Sequence, residues 1–337
     1  MSINNLPPEV LAQITGWLGH RFFRKDVARL TVSKKWYALA RPVLFQTLDL
    51  GAFSLHRLAQ KIGKRAIDTV FSHVIEINLH LQGCDDWIPL AEGDGSFDQV
   101  QRIADNWTYR LSGDLYILGK TMQRFTKLRR ISFTAWQEDS HGRFGVPQRP
   151  YLGEMAILGV VCAKNITSLD VDIGGTPFIR EPWASNPHLC KRIRETLQGL
   201  RRLRIRSVFI CPAILVAPTS TEERHSLENV IVNLSLSNMA ASDTSYRYSS
   251  CCEQSSNDVL NLAESMELQA KELAAALAHP KIIRVISHTF PGLQTRAFDA
   301  ITGRRYKLED LKHWEADGEV IEESDTDSES EISDVDI

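Results

Sequence analysis

Apolar positions in the first fifty residues recur at spacings of three and four. Val10, Leu11, Ile14, Trp17 and Leu18 make one stripe, Val27 and Leu30 a second, and Trp36, Leu39 and Ala40 a third. That spacing is the buried face of an amphipathic helix, so three short helices are expected. Each carries its own start signal. Pro7 or Pro8 opens the first, because the N–H that a proline lacks has no intrahelical partner in the first turn, and Glu9 sits at the positive end of the helix dipole. Asp26 and Ser33 can cap the second and third, and Pro42 is expected to stop the third. A trio of this size buries too little apolar surface to offset its conformational entropy, so it must lean on the rest of the chain or on another protein.

Farther along, a different pattern repeats: an apolar residue, two others, an apolar residue, one other, an apolar residue. It occurs as Val74, Ile77, Leu79; Leu128, Ile131, Phe133; Ile166, Leu169, Val171; Leu200, Leu203, Ile205; and Leu227, Val230, Val232, with a weaker echo at Ile282 and Val285. The alternating pair reads as a short strand with one buried face, and the leading residue anchors the turn into it. Intervals of 54, 38, 34 and 27 residues between successive strands leave room for a helix each time. Helical patterns are predicted over residues 97–125, 151–163, 187–198 and 258–278. Parallel strands joined by right-handed crossovers follow, since tight turns cannot close parallel pairs. The predicted fold class is therefore α/β. An irregular leucine-rich-repeat-like solenoid fits the repetition, whereas a generic α/β sheet fits the twofold spread of intervals and the missing asparagine ladder.

Long segments at 82–96, 134–150 and 240–257 interrupt the repeats, and such insertions often carry recognition. Trp136, with Arg143 and Arg149 after it, is the first choice for a substrate contact.

Composition narrows the class. At 337 residues, 43% hydrophobic and 24% charged, the chain reads as globular, and no run approaches the apolar length of a membrane span. Met1-Ser2-Ile3-Asn4-Asn5 lacks the charged and then apolar start of a signal peptide, so the expected location is cytoplasm, nucleus or both, with no membrane partner. Six cysteines, Cys84, Cys162, Cys190, Cys211, Cys251 and Cys252, show no C-x-x-C spacing. Free thiols are expected, and neither a metal nor a cofactor. Charge is uneven: from Glu315 onward there are 11 acidic residues and no Lys or Arg, while residues 1–314 carry 39 basic against 31 acidic. A disordered acidic tail over 315–337 is predicted. No G-x-S-x-G, P-loop, G-x-G-x-x-G or H-E-x-x-H motif occurs and the histidines are scattered, so no enzymatic site is expected.

The segment Leu6-Pro7-Pro8-Glu9-Val10-Leu11, then Ile14 and Leu18, then Leu30-Thr31-Val32-Ser33-Lys34-Lys35-Trp36, and finally Pro42-Val43-Leu44-Phe45, resembles an F-box in register across residues 4–50. Only Gly19-His20-Arg21-Phe22-Phe23-Arg24-Lys25 departs from the common pattern, being more basic and aromatic. The ending Trp314-Glu315-Ala316-Asp317-Gly318 is similar to that of many fungal F-box proteins. What the resemblance implies is a module that docks on a Skp-family adaptor, and through it on a cullin and a RING protein, in an SCF-type E3 ubiquitin ligase. The adaptor-facing positions of the family map onto Leu6, Pro7, Glu9, Leu11, Ile14, Leu18, Leu30, Val32 and Trp36. Residues 51–314 would then bind an unknown protein substrate, with proximity as the only catalytic contribution and no reactive group of its own. The alternative is a non-catalytic scaffold or basic binding protein, with nucleic acid as one ligand class, that uses the module outside ubiquitin transfer. A nucleic-acid partner is not expected, because Lys and Arg are spread along the chain instead of concentrated with aromatics on one element.

Overall fold

The computed structural model describes residues 6–63, 70–83, 97–136, 151–176, 178–179, 189–217, 226–236, 248–252, 259–289, 294–309 and 313–321. Arg143, Arg149 and residues 322–337 lie outside them. The described chain is mixed α/β, with seven helices and a large, mostly parallel sheet.

Three helical pieces open the chain: α1 (Pro8–Lys25), a 3-10 turn (Val27–Leu30) and α2 (Lys34–Leu44). The Asp26 carboxylate accepts from the Ala28 N–H at 2.9 Å, and the Ser33 hydroxyl oxygen accepts from the Trp36 N–H at 3.1 Å, so both predicted caps form. Gly19, at φ 69°, interrupts α1 in a conformation that a side chain would strain. Past this break the aromatic residues of the stretch turn inward while Arg21 and Lys25 stay exposed. Phe23 is fully buried, edge-on to Phe22 and Trp36 with ring centroids 5.3 and 6.1 Å away. Pro42 does not stop α2 as expected. Its missing N–H falls in the last turn, and the helix ends two residues later, where the Phe45 N–H returns to the carbonyls of Arg41 and Pro42.

Strands β1 (Thr47–Leu50), β2 (Glu76–Leu81), β3 (Arg130–Trp136), β4 (Leu152–Gly153), β5 (Ser168–Gly175), β6 (Phe178–Ile179), β7 (Arg202–Ser207), β8 (Asn229–Asn233) and β9 (Ile282–His288) follow. Apart from β4 and β6, which pair with each other, they form a parallel array whose spatial order is their chain order. Helices α3 (Ala52–Ala59), α4 (Phe97–Met122), α5 (Glu154–Val161), α6 (Leu189–Thr196) and α7 (Val259–Ala276) serve as crossovers. Three further strands, β10 (Thr295–Asp299), β11 (Arg305–Lys307) and β12 (Glu319–Ile321), extend the sheet antiparallel beyond β9.

Register aligns the repeated apolar residues into two rows: Leu48, Ile77, Ile131, Leu169, Leu203, Val230, Ile283, and Leu50, Leu79, Phe133, Val171, Ile205, Val232, Val285. Both rows face one core shared with Leu115 and Leu118 of α4, Ile157 and Val160 of α5, Ile193 of α6 and Met266 and Leu273 of α7. All the crossover helices from α4 to α7 therefore pack on the same side. Same-handed crossovers between strands laid down in one direction produce this arrangement. The leading residues Val74, Leu128, Ile166, Leu200 and Leu227 are all buried beneath the strand entrances.

Two expectations need correction. Thr47–Leu50, read as the end of the N-terminal module, is the first strand of the sheet, because its alternating Leu48 and Leu50 join the same apolar rows. The tail does not begin at Glu315: Glu319–Ile321 pairs with β11, and the residues just before it are anchored on the sheet.

Helices α4 and α5 touch at two glycines. A Cβ on Gly119 would lie 2.4 Å from the Gly159 carbonyl oxygen, whereas one on Gly159 would meet nothing closer than the Gly119 Cα at 3.8 Å. Gly119→Ala is expected to lower unfolding free energy by about 1–3 kcal/mol through overpacking. Gly159→Ala should leave stability unchanged or slightly higher. Urea titration followed by circular dichroism distinguishes the pair, and equal effects would contradict the packing.

Candidate functional site

The face of the sheet opposite the helices carries the alternate residues. One row runs Asp49, Asn78, Ser132, Asp170, Arg204, Ile231, Arg284, and the next runs His80, Thr134, Asp172, Arg206, Asn233, Ile286. Polar partners link neighbours along these rows. Asn78 donates to Asp49 at 2.8 Å, His80 meets the Thr134 hydroxyl at 2.7 Å, and Arg204 faces Asp170 at 3.3 Å. Arg206 grips Asp172 with two parallel bonds of 2.8 and 2.6 Å. Toward the strand entrances Arg130 pairs with Glu76, and Glu228 holds both Arg201 and Lys281. Many of the sheet's arginines are thus spent on its own carboxylates.

Electrostatics differ along the first row. Burial pushes the Asp170 carboxyl above the ordinary carboxylate range, against the pull of Arg204 and Arg202. Burial also opposes ionisation of Asp49, but the hydrogen bond from Asn78 and the charge and bond of Arg24 outweigh it, and its carboxyl lies below the ordinary range. Arg24, in the last turn of α1, binds both Asp49 and the Thr47 carbonyl, which ties the N-terminal module to the first strand.

The C-terminal segment closes one end of this face. Trp314 is buried over Ile231, Ile286, Ala297 and Leu308, and the guanidinium carbons of Arg204 and Arg206 lie 4.6 and 5.2 Å from its ring centroid. Glu315 pairs with Arg202 at 2.5 Å, and Arg284 binds the Ala316 carbonyl at 2.9 Å and Asp317 at 2.5 Å. Among the described residues the half formed by β1, β2 and β3 stays open, with His80 and Asp49 exposed. Trp136 lies half-buried at the edge of that half. It is close against Gly175, where a Cβ would come within 2.7 Å of its own, and its carbonyl accepts from the Tyr151 hydroxyl at 2.9 Å. The structure thus keeps Trp136 on the candidate surface, while Arg143 and Arg149 fall outside the described residues.

The nine positions assigned to the adaptor divide into two groups. Leu11, Leu30 and Trp36 are only 2%, 5% and 5% exposed and, with Phe23, Ala40 and Val43, form a closed core of the module's own. Leu6 and Ile14 are half-buried against that core, while Pro7, Glu9, Leu18 and Val32 are exposed. The sequence stripe mixed two faces: periodicity locates an apolar band but not which edge turns inward. Val10, Trp17 and Leu18 make an outer stripe along α1, with Trp17 83% exposed, and Val27 and Val32 add exposed apolar groups at 62% and 52%. Among the described residues none covers this stripe, although surface tryptophans are seldom so bare.

Sequence reasoning missed a cluster of thiols. Cys190 in the first turn of α6, Cys211 and Cys252 place their sulfur atoms within 4.8 Å of one another. No local spacing announces them, because they come from three separate segments. Elsewhere, His56 on α3 contacts Asp114 on α4 at 2.9 Å and Gln60 at its other ring nitrogen, which holds α3 against α4.

Comparison with known proteins finds no matching family model, no matching curated protein and no matching solved structure. No helix among the described residues is long and apolar enough to cross a membrane.

Trp314→Ala should lower stability by about 3–5 kcal/mol, the usual cost of deleting a buried tryptophan. It should also raise binding of a hydrophobic dye by baring Ile231 and Ile286. Thermal melting and dye fluorescence read both effects, and an unchanged melting temperature would contradict the covering role of Trp314.

Proposed function

We propose that this chain is the substrate-recognition subunit of an SCF-type E3 ubiquitin ligase, with the N-terminal module acting as an F-box and the body as an irregular leucine-rich-repeat-like receptor. The observation that carries the reading is the apolar stripe left outside a module whose core is already closed. Val10, Trp17, Leu18 and Val32 are exposed outside that core, and exposed aromatic and aliphatic anchors of this kind are what an interface core uses. A Skp-family adaptor would cover them, with the cullin and RING protein following through it. In this reading Leu11, Leu30 and Trp36 shape the docking surface from beneath without touching the partner.

The body's part is to hold a protein target. In support, the strands follow one another in chain order with the crossover helices on one face, so the opposite face presents a continuous array of side chains. Its open half, with Asp49, His80, Ser132, Thr134 and Trp136, is polar with one aromatic anchor. Ion pairing within the sheet weighs against nucleic acid, since Arg204, Arg206 and Arg284 are engaged by carboxylates of the chain itself. Ligation would be performed by the enzymes that the complex gathers, and the chain would supply effective concentration, in the cytoplasm, the nucleus or both.

Trp17→Ala combined with Val32→Ala is expected to reduce co-purification of a Skp-family adaptor at least about tenfold, as loss of two interface anchors implies, with an unchanged circular dichroism spectrum. Leu11→Ala should instead lower the melting temperature, because it opens a cavity costing about 2–5 kcal/mol in a closed core. Full adaptor recovery with the double variant would overturn the docking surface. For the target, His80→Ala with Trp136→Ala should deplete substrate from adaptor-bound complexes while adaptor recovery stays constant. Parallel loss of adaptor would contradict the division of labour.

A further inference from the structure

The thiol cluster lies apart from both candidate surfaces and has no part in the proposed function. Cys190 is buried in the first turn of α6, Cys211 is buried just before the 3-10 turn Pro212–Leu215, and Cys252 is half-buried in the segment that follows the bridge between Phe209 and Ser250. Sequence separations of 21 and 62 residues part Cys190 from the other two. Three sulfurs from three independent segments nevertheless converge, with Cys190 and Cys252 3.7 Å apart. Zinc–thiolate bonds of about 2.3 Å set tetrahedral sulfur atoms about 3.8 Å apart. A disulfide needs about 2.05 Å, so the observed separation matches two ligands of one ion more closely than a bonded pair.

The surroundings suit a metal too. The Cys211 backbone N–H donates to the Cys190 sulfur at 3.3 Å, a contact that orients the sulfur and stabilises it once it carries charge. No carboxylate or imidazole joins the group among the described residues, which makes the donor set wholly soft. Thiolates alone select thiophilic d10 ions over Mg²⁺ or Ca²⁺. Divalent zinc leaves the smallest net charge, since three thiolates around Zn²⁺ sum to one negative charge, against two around Cu⁺. A water molecule would complete the coordination on the half-exposed Cys252 side.

We infer that Cys190, Cys211 and Cys252 form a structural binding site for a thiophilic metal ion, with Zn²⁺ the ion of choice. Binding converts three thiols to thiolates, forms three metal–sulfur bonds and releases three protons to solvent, with no change of oxidation state. The ion would fasten the segment 248–252, which lies within the long segment 240–257 after β8, to α6 and to the loop behind β7. Among the described residues that segment is tied to the sheet by backbone bonds in which Ser249 and Ser250 donate to the carbonyls of Leu234 and Val208, and Ile210 donates to Ser250.

The full chain, purified under reducing conditions and supplied with Zn²⁺, should hold about one zinc per chain by plasma mass spectrometry, as a single three-thiolate site with one water requires. Cys252→Ser and Cys211→Ser should each fall below about a tenth of that occupancy, because removal of one of three ligands collapses a soft site. Cys162→Ser, outside the cluster, should retain it. EDTA should lower the melting temperature of the parent chain and leave that of Cys252→Ser unmoved. Should the serine variants fail to fold, Co²⁺ titration of the reduced parent chain provides the second reading, and thiolate-to-cobalt charge-transfer absorption at one equivalent supports the site. Absence of that absorption, zinc retained by Cys252→Ser, or a disulfide between Cys190 and Cys252 found by non-reducing peptide mapping would each overturn it.

Discussion

The architecture rests on a ladder of shared carbonyls at the strand entrances. The Gln46 carbonyl accepts the N–H groups of both Ile75 and Glu76; Ile75 does the same for Arg129 and Arg130, Arg129 for Thr167 and Ser168, Thr167 for Arg201 and Arg202, Arg201 for Glu228 and Asn229, and Glu228 for Lys281 and Ile282. All these bonds are 2.7–3.1 Å long. Each rung fixes where the next strand begins, so register passes from β1 to β9 without a free choice at any step. A slip of one residue would turn every apolar row toward solvent and every polar row toward the helices. Beneath the rungs sit Val74, Leu128, Ile166, Leu200 and Leu227, whose burial holds the ladder flat against the core.

Fixed register makes the two ends of the array unequal. At the first strand the polar row starts with Asp49, which Arg24 of the N-terminal module engages directly. At the far end the chain reverses into antiparallel strands, and Trp314 lies on the face between Arg204, Arg206 and two isoleucines. Among the described residues the polar face is therefore closed where the parallel array ends and open where the module attaches. In the proposed ligase, adaptor and target would occupy neighbouring surfaces, bridged by one ion pair and the short strand that follows α2.

Much of this was legible in the sequence because two periods coexist in it. Spacing of three and four marked α1 and α2, and helical patterns marked α4 to α7, whereas the short α3 went unread. Alternation plus a leading apolar residue marked β2, β3, β5, β7 and β8, since each such residue meets the same demand at a strand entrance. Thr47–Leu50 escaped notice because four residues directly after a helix are too few to display alternation. Trp314 and Glu315 escaped because their partners, Arg204, Arg206 and Arg202, lie more than a hundred residues earlier, and composition assigned the acidic end to a tail. Leu11, Leu30 and Trp36 were identified as apolar anchors but assigned outward, since a stripe carries no sign for inside or outside. The thiol cluster has no local signature at all; only the fold brings Cys190, Cys211 and Cys252 together.

The claim on which the functional account turns is that the outer stripe of the N-terminal module is a surface awaiting a second polypeptide. Hydrogen–deuterium exchange of the full chain, alone and saturated with a Skp-family adaptor, tests it most directly. Slowed exchange confined to α1, the 3-10 turn after it and the start of α2, with the sheet unaltered, is the predicted result. Protection that falls on the open face of the sheet, or an unchanged pattern throughout, would contradict it.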